Sequence, residues 1–505
     1  MSDLFLGIDI GTSGCKLALF DMAGKTIMQA AEPYPVYYPA PGRAEQDANE
    51  WWAGVCRSLQ RLWARGADPA RIAAIGIDGQ SWSAIPMGFD GKVLANTPIW
   101  MDTRAADICA VWEKRLGAEQ LFAVSGNPFS PTYTLPKVLY WAERDPELLS
   151  NTAYILQSNA YIVYLLTGAV TMDYSMSYGW HNFDQQKLRY DASLSRELGL
   201  PDRFLIEPVP SCTVVGQVTA AAAKATGLLT GTPIVAGGLD AACSTLGVGV
   251  TEPGQTQEQG GQAGGMSICL DHPRMHPKLI LSPHVTPGRW LLQGGTVGGG
   301  ASLKWFAEQL ACKGGPAPEN IFEELSAAAE TAPAGSGGLL FLPYLAGERS
   351  PLWDAKAQGM YFGLKYAASY AHLVRATMEG VAYALRHNIE TAAEAGAAVS
   401  ELYGTGGSAN SHIWTQIKAD VTGLPMRIPA SDTATTCGAA MLAMVGTGAY
   451  PSCRAAADGI VKIRRTHTPN PANAALYQHL FEIYGDLYRS TSESMHRLYD
   501  LQSTL

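Results

Sequence analysis

An α/β chain of two domains, with related cores and a cleft between them, is predicted by three features of the sequence. Strands alternate with helices through both halves, and each half opens on antiparallel strands. An apolar strand running into glycine and a carboxylate occurs twice, at Leu6-Gly7-Ile8-Asp9 and again at Gly231–Asp240 (GTPIVAGGLD). The length of 505 residues accommodates two large domains, and Pro253-Gly254 is the natural break, giving residues 1–253 and 254–505.

Residues 3–9, 16–21 and 26–30 are predicted as a three-stranded meander. The first turn holds Gly11, Thr12, Ser13 and Gly14, with Lys16 just beyond it. Such a turn can aim several backbone N–H groups at one point, which suits phosphate, and Asp9 can hold Mg²⁺. An ordinary hairpin turn is the plainer reading of the same residues. Asp47 to Arg65 is predicted as a helix, because Trp51, Val55, Leu59, Leu62 and Trp63 recur at helical spacing and Asp47 or Asn49 can cap it. Residues 71–78 form a strand opening into Gly79-Gln80-Ser81-Trp82-Ser83, and a strand–turn follows at 85–96. Helices are expected at 105–125 and 136–167, then mixed structure to residue 230.

After the strand 231–240 a helix is expected from Ala241, which Asp240 could cap. In the second half, strands are expected at 266–270 and 289–294 and helices at 301–311, 366–396 and 472–500. Gly294-Gly295-Thr296 and Gly404–Ser408 each lie between a strand and a helix. Backbone can approach a ligand closely at such junctions, and helix N-termini favour anions; plain turns explain most single clusters of this kind.

The net charge is −9 and no long Lys/Arg run is present, so nucleic acid is not expected as a partner. The 9 cysteines form no CxxC pair, as in reduced cytoplasmic proteins. The start, MSDLFLGID, lacks a basic and then apolar leader, and no run of about 18 apolar residues exists; neither a signal peptide nor a membrane span is expected.

Asp9 and Asp240 are the acids on which the chemistry is placed. One carboxylate beside a metal and one free to accept a proton is what phosphoryl transfer to an alcohol needs.

At this point the sequence resembles the FGGY family of carbohydrate kinases over nearly its full length, and within it the xylulokinase branch. The carrying segments are LGIDIGTSGCKLALFD, GIDGQSWS with PIWMDTRA, VAGGLDAACSTLGVGVTEPG, PYLAGERSPLWDAKAQGMYFGL (343–364), MEGVAYALRHNIE and LYGTGGSANSHIWTQIKADVTGLPM. The segment 343–364 is the most specific of them. The resemblance implies two ribonuclease-H-like domains of the actin/hexokinase/Hsp70 ATPase superfold, closing on ATP and sugar. It implies Asp240 as the general base and as a neighbour of the metal, with Asp9 near Mg²⁺. Gly11, Thr12, Ser13, Gly14, Lys16, Gly261, Gln262, Gly295 and Thr296 would lie near phosphate, and Gly406, Gly407, Ser408 and Asn410 near adenosine. Gln80, Ser81, Trp82 and Asp102 would contact sugar. The implied reaction is ATP-dependent phosphorylation of D-xylulose to D-xylulose 5-phosphate; L-xylulose, ribulose, erythritol, glycerol and a weakly catalytic sensor are the alternatives. Members of the family often form homodimers.

Three departures stand out. Trp82 replaces a histidine of the usual GQMHG; Gly261-Gln262-Ala263-Gly264 replaces GTSG, losing two hydroxyls; and Asn159-Ala160 stand where Lys-Asp is common.

Overall fold

The structure, a computed structural model, describes residues 3–431 and 433–502. Two seven-stranded sheets organise it. The first contains β1 (Leu4–Ile10), β2 (Gly14–Phe20), β3 (Thr26–Pro33), β4 (Ile72–Gly79), β5 (Val214–Gln217), β6 (Pro233–Val235) and β7 (Gly238–Leu239). Their order is β5-β6-β4-β1-β2-β3, with β7 pairing β4 beyond that path. The second contains β8 (Gln255–Gly260), β9 (Gly264–Leu270), β10 (Ile280–Pro283), β11 (Trp290–Thr296), β12 (Glu401–Thr405), β13 (Met426–Pro429) and β14 (Ile463–His467), in the order β10-β11-β9-β8-β12-β13-β14.

One arrangement is repeated. In each sheet an antiparallel meander (β1-β2-β3, then β8-β9-β11) is extended by a strand parallel to the meander's first member, β4 beside β1 and β12 beside β8.

Alternation along β1 sets its two faces. Leu6, Ile8 and Ile10 join Trp51, Val55, Leu59 and Leu62 of α1 (Ala48–Ala64) in one buried cluster. Each such side chain stabilises the fold by about 1.5–3 kcal/mol through removal from water. Asp47 caps α1, accepting the Asn49 N–H. The opposite face carries Gly7 and Asp9. There α2 (Asp240–Gly247) and α5 (Ala434–Gly446) close over the sheet; α3 (Tyr370–Glu394) and α4 (His412–Thr422) lie in the second half.

α5 belongs to the second half of the chain, yet it packs on the first sheet. A Cβ on Gly7 would lie 2.0 Å from Thr436 O, and one on Gly76 would lie 1.9 Å from Ala439 O. The helix therefore rests on bare backbone at these two points. α2 and α5 meet equally closely, Gly438 against Cys243 O and Gly247 against Ala434 O.

Several boundaries differ from the sequence reading. The expected helix 136–167 is broken by a strand, Thr152–Leu156, between the helices Pro146–Asn151 and Ser158–Thr167. Its β-branched and aromatic residues pair with Ile85–Gly88. Gly117 divides the helix expected at 105–125, and Gly237, at φ 73°, divides the strand 231–240. β8 was not expected as a strand: its sequence, QTQEQG, lacks apolar alternation. Leu239, not Asp240, occupies the cap position of α2, so Asp240 is the first helical residue. Among the described residues no helix is long and apolar enough to cross a membrane.

Gly76→Ala should lower the melting temperature by roughly 2–6 °C, because the added methyl must displace α5 backbone and overpacking typically costs about 1–3 kcal/mol. Calorimetry checks this; an unchanged midpoint would mean that α5 does not rest on β4 as described.

Candidate active site

Strand register brings three carboxylates together. Asp9 ends β1, and it pairs with Asp78 on β4 and with Lys16 on β2. Gly238 on β7 pairs with Asp78, so the chain reaches Asp240 two residues later at the same sheet end. Asp78 is fully buried, and no hydrogen bond satisfies either of its oxygens except the one it shares with Asp9. Burial pushes the Asp78 carboxyl well up, and the negative charges of Asp9 and Asp240 push it further. A neutral Asp78 can donate its proton to one oxygen of Asp9. Burial also raises Asp9, against the opposing pull of the Lys16 charge.

Asp240 is pushed up to about 7, first by burial and then by the charge of Asp9. The N–H of Ala241 donates to its Oδ1 at 2.6 Å. A carboxyl poised near neutrality is suited to proton transfer. Behind it, Asp173 accepts the Ser175 hydroxyl at 2.5 Å and an Asn159 N–H at 3.0 Å, while Ser175 Oγ accepts the Leu239 N–H at 2.9 Å. This chain of bonds fixes the residue that precedes Asp240.

The residues present fit a hard cation at Asp9. Its Oδ1 is buried without a partner, and carboxylate oxygen is the donor that Mg²⁺ takes. Among the described residues no three His, Cys, Asp or Glu side chains are grouped as a metal cage. Mg²⁺ bound with substrate phosphates typically uses only one or two carboxylates.

The first loop is tied to the segment after β4. Thr12 donates to Gln80 Oε1 at 3.2 Å and accepts from Trp100 Nε1 at 2.9 Å, and Gln46 Nε2 donates to Thr12 O at 2.8 Å. Tyr34 OH donates to Gly11 O at 2.6 Å, whereas Ser13 and Lys16 remain exposed. Gln80 is buried, and its amide donates to Gln46 Oε1 at 2.7 Å and accepts from Thr12, so both of its polar atoms carry a bond. Asp102 is likewise buried, accepting from Ala44 N–H and twice from the Arg104 guanidinium. Ser81 and Trp82 are partly open. Trp82 sits at φ 55° and stacks on Tyr133, ring centroids 4.1 Å apart. Tyr178 packs on the same indole, and its hydroxyl faces Ser81, Trp82 and Asp240. The turn is held by Lys137, whose Nζ donates to the carbonyls of Trp82, Ile99 and Thr132 at 2.7–2.8 Å. Burial lowers this ammonium to about 7.

On the second sheet, Gly261, Gln262, Gly407, Ser408 and Asn410 line one cavity of about 670 Å³ with Phe322 and Trp414. Gly406 lines a neighbouring recess of about 260 Å³ with Asn410 and Arg464. Beneath these loops Lys418 donates to Glu258 at 2.5 Å and to Ser408 Oγ at 2.7 Å. Gly295 and Thr296 line neither space; they pair with Gly265 and Gly264 at the foot of the loop. The helix after them, Gly300–Trp305, does not present free amides, because Gly300 and Ala301 N–H donate to Gly261 O and Gln262 O. Asp78 and Lys137 escaped the sequence reading. The repeated Gly-Ile-Asp, at Gly7–Asp9 and Gly76–Asp78, was the available signal for the first; Lys137 offered none.

Comparison with known proteins agrees with this geometry. The N-terminal domain of the FGGY family of carbohydrate kinases matches residues 4–247, and its C-terminal domain matches residues 268–447. Xylulose kinase of Bacillus subtilis (strain 168) is 30% identical over 492 residues, 97% of each chain. Gluconokinase of the same organism is 28% identical over 511 residues, covering 100% of this chain and 99% of its own. The crystal structure of xylulose kinase from Rhodospirillum rubrum superposes with a TM-score of 0.90 at 29% identity, covering 98% of this chain and all of that one. The fold is accordingly that of the two-domain actin/hexokinase/Hsp70-like ATPases, and the chain belongs to the FGGY family of carbohydrate kinases.

Proposed function

We propose that the protein phosphorylates D-xylulose to D-xylulose 5-phosphate at the expense of ATP. The observation that carries the reading is Asp240, a carboxyl raised to about 7 at the head of α2 and facing both Asp9 and Tyr178. Xylulose kinases among the full-length relatives favour the ketose; gluconokinases of similar identity make gluconate the second reading.

Asp240 accepts the proton of the sugar's terminal hydroxyl as that oxygen bonds to the γ-phosphorus. The bond from phosphorus to the β,γ-bridging oxygen breaks, ADP leaves, and the proton is released to solvent from Asp240. Asp9 would hold Mg²⁺, which would supply charge neutralisation on the phosphate oxygens. Asp78, by donating to Asp9, fixes the direction of that carboxylate. Gly11, Thr12, Ser13, Gly14 and Lys16 bind phosphate from the first sheet, and Gly261 and Gln262 from the second. Gly406, Gly407, Ser408 and Asn410 receive adenosine. Trp82, Tyr133 and Tyr178 wall the sugar, with Ser81 as a polar contact. Gln80 and Asp102 act as supports, since their polar atoms are already used. Residues 1–253 thus bring sugar and base, and 254–505 the nucleotide.

Asp240→Asn should lower turnover by about 10²- to 10⁴-fold with ATP affinity unchanged. The unaltered enzyme should show a kcat/KM limb near pH 7, activity falling tenfold per unit below it as Asp240 takes up its proton. A raised native pKa means that protons favour the folded state, so the parent loses stability as pH rises toward 7. The variant, which carries no ionisable group there, should therefore gain on the parent in melting temperature between about pH 5 and about pH 8. Near-normal turnover in the variant removes Asp240 from the base role.

ADP release measured with D-xylulose, L-xylulose, ribulose, gluconate, erythritol and glycerol should be highest kcat/KM for D-xylulose. A preference for gluconate selects the second reading, and no release with any acceptor selects the sensor.

A further inference from the structure

The segment 343–364 matches the family most specifically, yet the mechanism above uses none of it. Its Arg349 is unlike an arginine that braces a fold. The backbone beside it is pinned: Glu348 accepts the N–H groups of Val297 and Arg349, both at 2.7 Å. Ser350 N–H donates to Gly295 O at 3.0 Å, and Asn388 donates to Ser350 O at 3.0 Å. The guanidinium itself, among the described residues, has no hydrogen-bond or ion-pair partner. It is half-buried, and desolvation works against its charge, which the neighbouring Glu348 offsets only in part.

Register shows where it points. A Cβ on Gly295 would lie 3.0 Å from Arg349 Nη2, so the guanidinium lies over that strand position. Gly295 pairs with Gly265, and Gly265 pairs with Gln259. Paired residues share a face, as do residues two apart, so Gln257 belongs to the same face. Gln257 Nε2 donates to Ser244 Oγ at 2.8 Å, and Thr245 Oγ1 donates to Gln257 Oε1 at 2.7 Å. Arg349 therefore covers the sheet face that meets α2.

Its level along that face also follows. The chain leaves α2 at Gly247 and enters β8 at Gln255, so the start of α2 and the end of β8 lie at one end. From Ser244 back to Asp240 is about 6 Å of helix; from Gln257 on to Gln259 is about 7 Å of strand. The guanidinium thus stands at the level of Asp240, one strand position from the Gly264–Thr296 pair that closes the loop Gly261–Gly264.

We propose that Arg349 binds a phosphoryl group in the cleft, the group passing from nucleotide to sugar. A planar guanidinium can grip two phosphate oxygens at once, and a partly desolvated cation without a partner is costly until an anion arrives. The proposal rests on the kinase reading. The same phosphoryl is carried by the nucleotide before transfer and by the sugar phosphate after it, and the binding arms separate the two.

The test compares Arg349→Met and Arg349→Lys with the parent, by calorimetric titration with ADP, a non-hydrolysable ATP analogue and D-xylulose 5-phosphate, each with Mg²⁺. The Met variant should lose about 10- to 100-fold in affinity for the ATP analogue, the sugar phosphate or both, with ADP affinity unchanged. The Lys variant should recover part of that loss, and the ligand-free melting temperature of the Met variant should equal or exceed the parent's. Unchanged affinity for both γ-phosphoryl carriers overturns the proposal, as does a ligand-free melting temperature that falls in both variants, which marks a bracing role. Failure of the kinase reading would look different: the unaltered protein would release no ADP with any acceptor.

Discussion

The contact that the site depends on is between backbones. α5 presses against β1 and β4 at Gly7 and Gly76 and against α2 at Gly247 and Gly438, where no Cβ intervenes. Were the helices held off at the usual 8–10 Å spacing of side-chain-covered elements, α2 would stand farther from the ends of β1 and β4. Asp240 would then lose its proximity to Asp9, and its carboxyl would keep its proton less firmly. The same contact joins the two sheets: α5 comes from the second half and lies on the first sheet, while α2 bonds through Ser244 and Thr245 to Gln257 of the second. Ligand loops on the two halves are thereby referred to one central pair of helices.

The electrostatics are what a phosphoryl-transfer site needs and a stable core avoids. Asp9, Asp78 and Asp240 crowd one sheet end, and among the described residues Lys16 is the cation that offsets them. Burial and mutual repulsion keep protons on them that a solvent-exposed carboxylate would give up, so the ligand-free fold is best tolerated at lower pH. A bound cation reverses that balance, since it favours the ionised carboxylates that repulsion disfavours. Such a site trades folding stability for ligand-dependent stability.

The meander, α1 with its Asp47 cap and the Asp9/Asp240 pair were legible because each depends on local pattern: apolar alternation, helical spacing, a carboxylate after a strand. β8 was not, because four of its six residues are buried although mostly polar, the Gln257 amide being satisfied by α2, which approaches only in the folded chain. The helix expected at 136–167 failed for the converse reason, as residues 152–156 join a strand pair whose partner lies some seventy residues earlier. Gln80 and Asp102 show the limit most plainly. Their presence in the right motifs said nothing of the fact that Thr12, Gln46 and Arg104 consume their polar atoms. Motif position names a neighbourhood; free lone pairs decide who can touch a ligand.

Those free valences bear on the substrate as well. Around the Trp82 turn, Gln80 and Asp102 are taken up in hydrogen bonds, and Ser81 and Trp82 are left partly open. An indole face and a phenol edge accept the apolar C–H side of a carbohydrate and punish a bulky or charged substituent there. The left-handed turn that presents Trp82 is fastened by Lys137 through three carbonyls, an arrangement in which the cation serves geometry and offers nothing to a substrate. Lys137, turned inward onto those carbonyls, is not available to hold a sugar carboxylate. On the reading proposed above, a neutral ketose suits this wall, whereas a sugar acid would need its charge met from elsewhere in the cleft, where Arg349 is already assigned to the phosphoryl group.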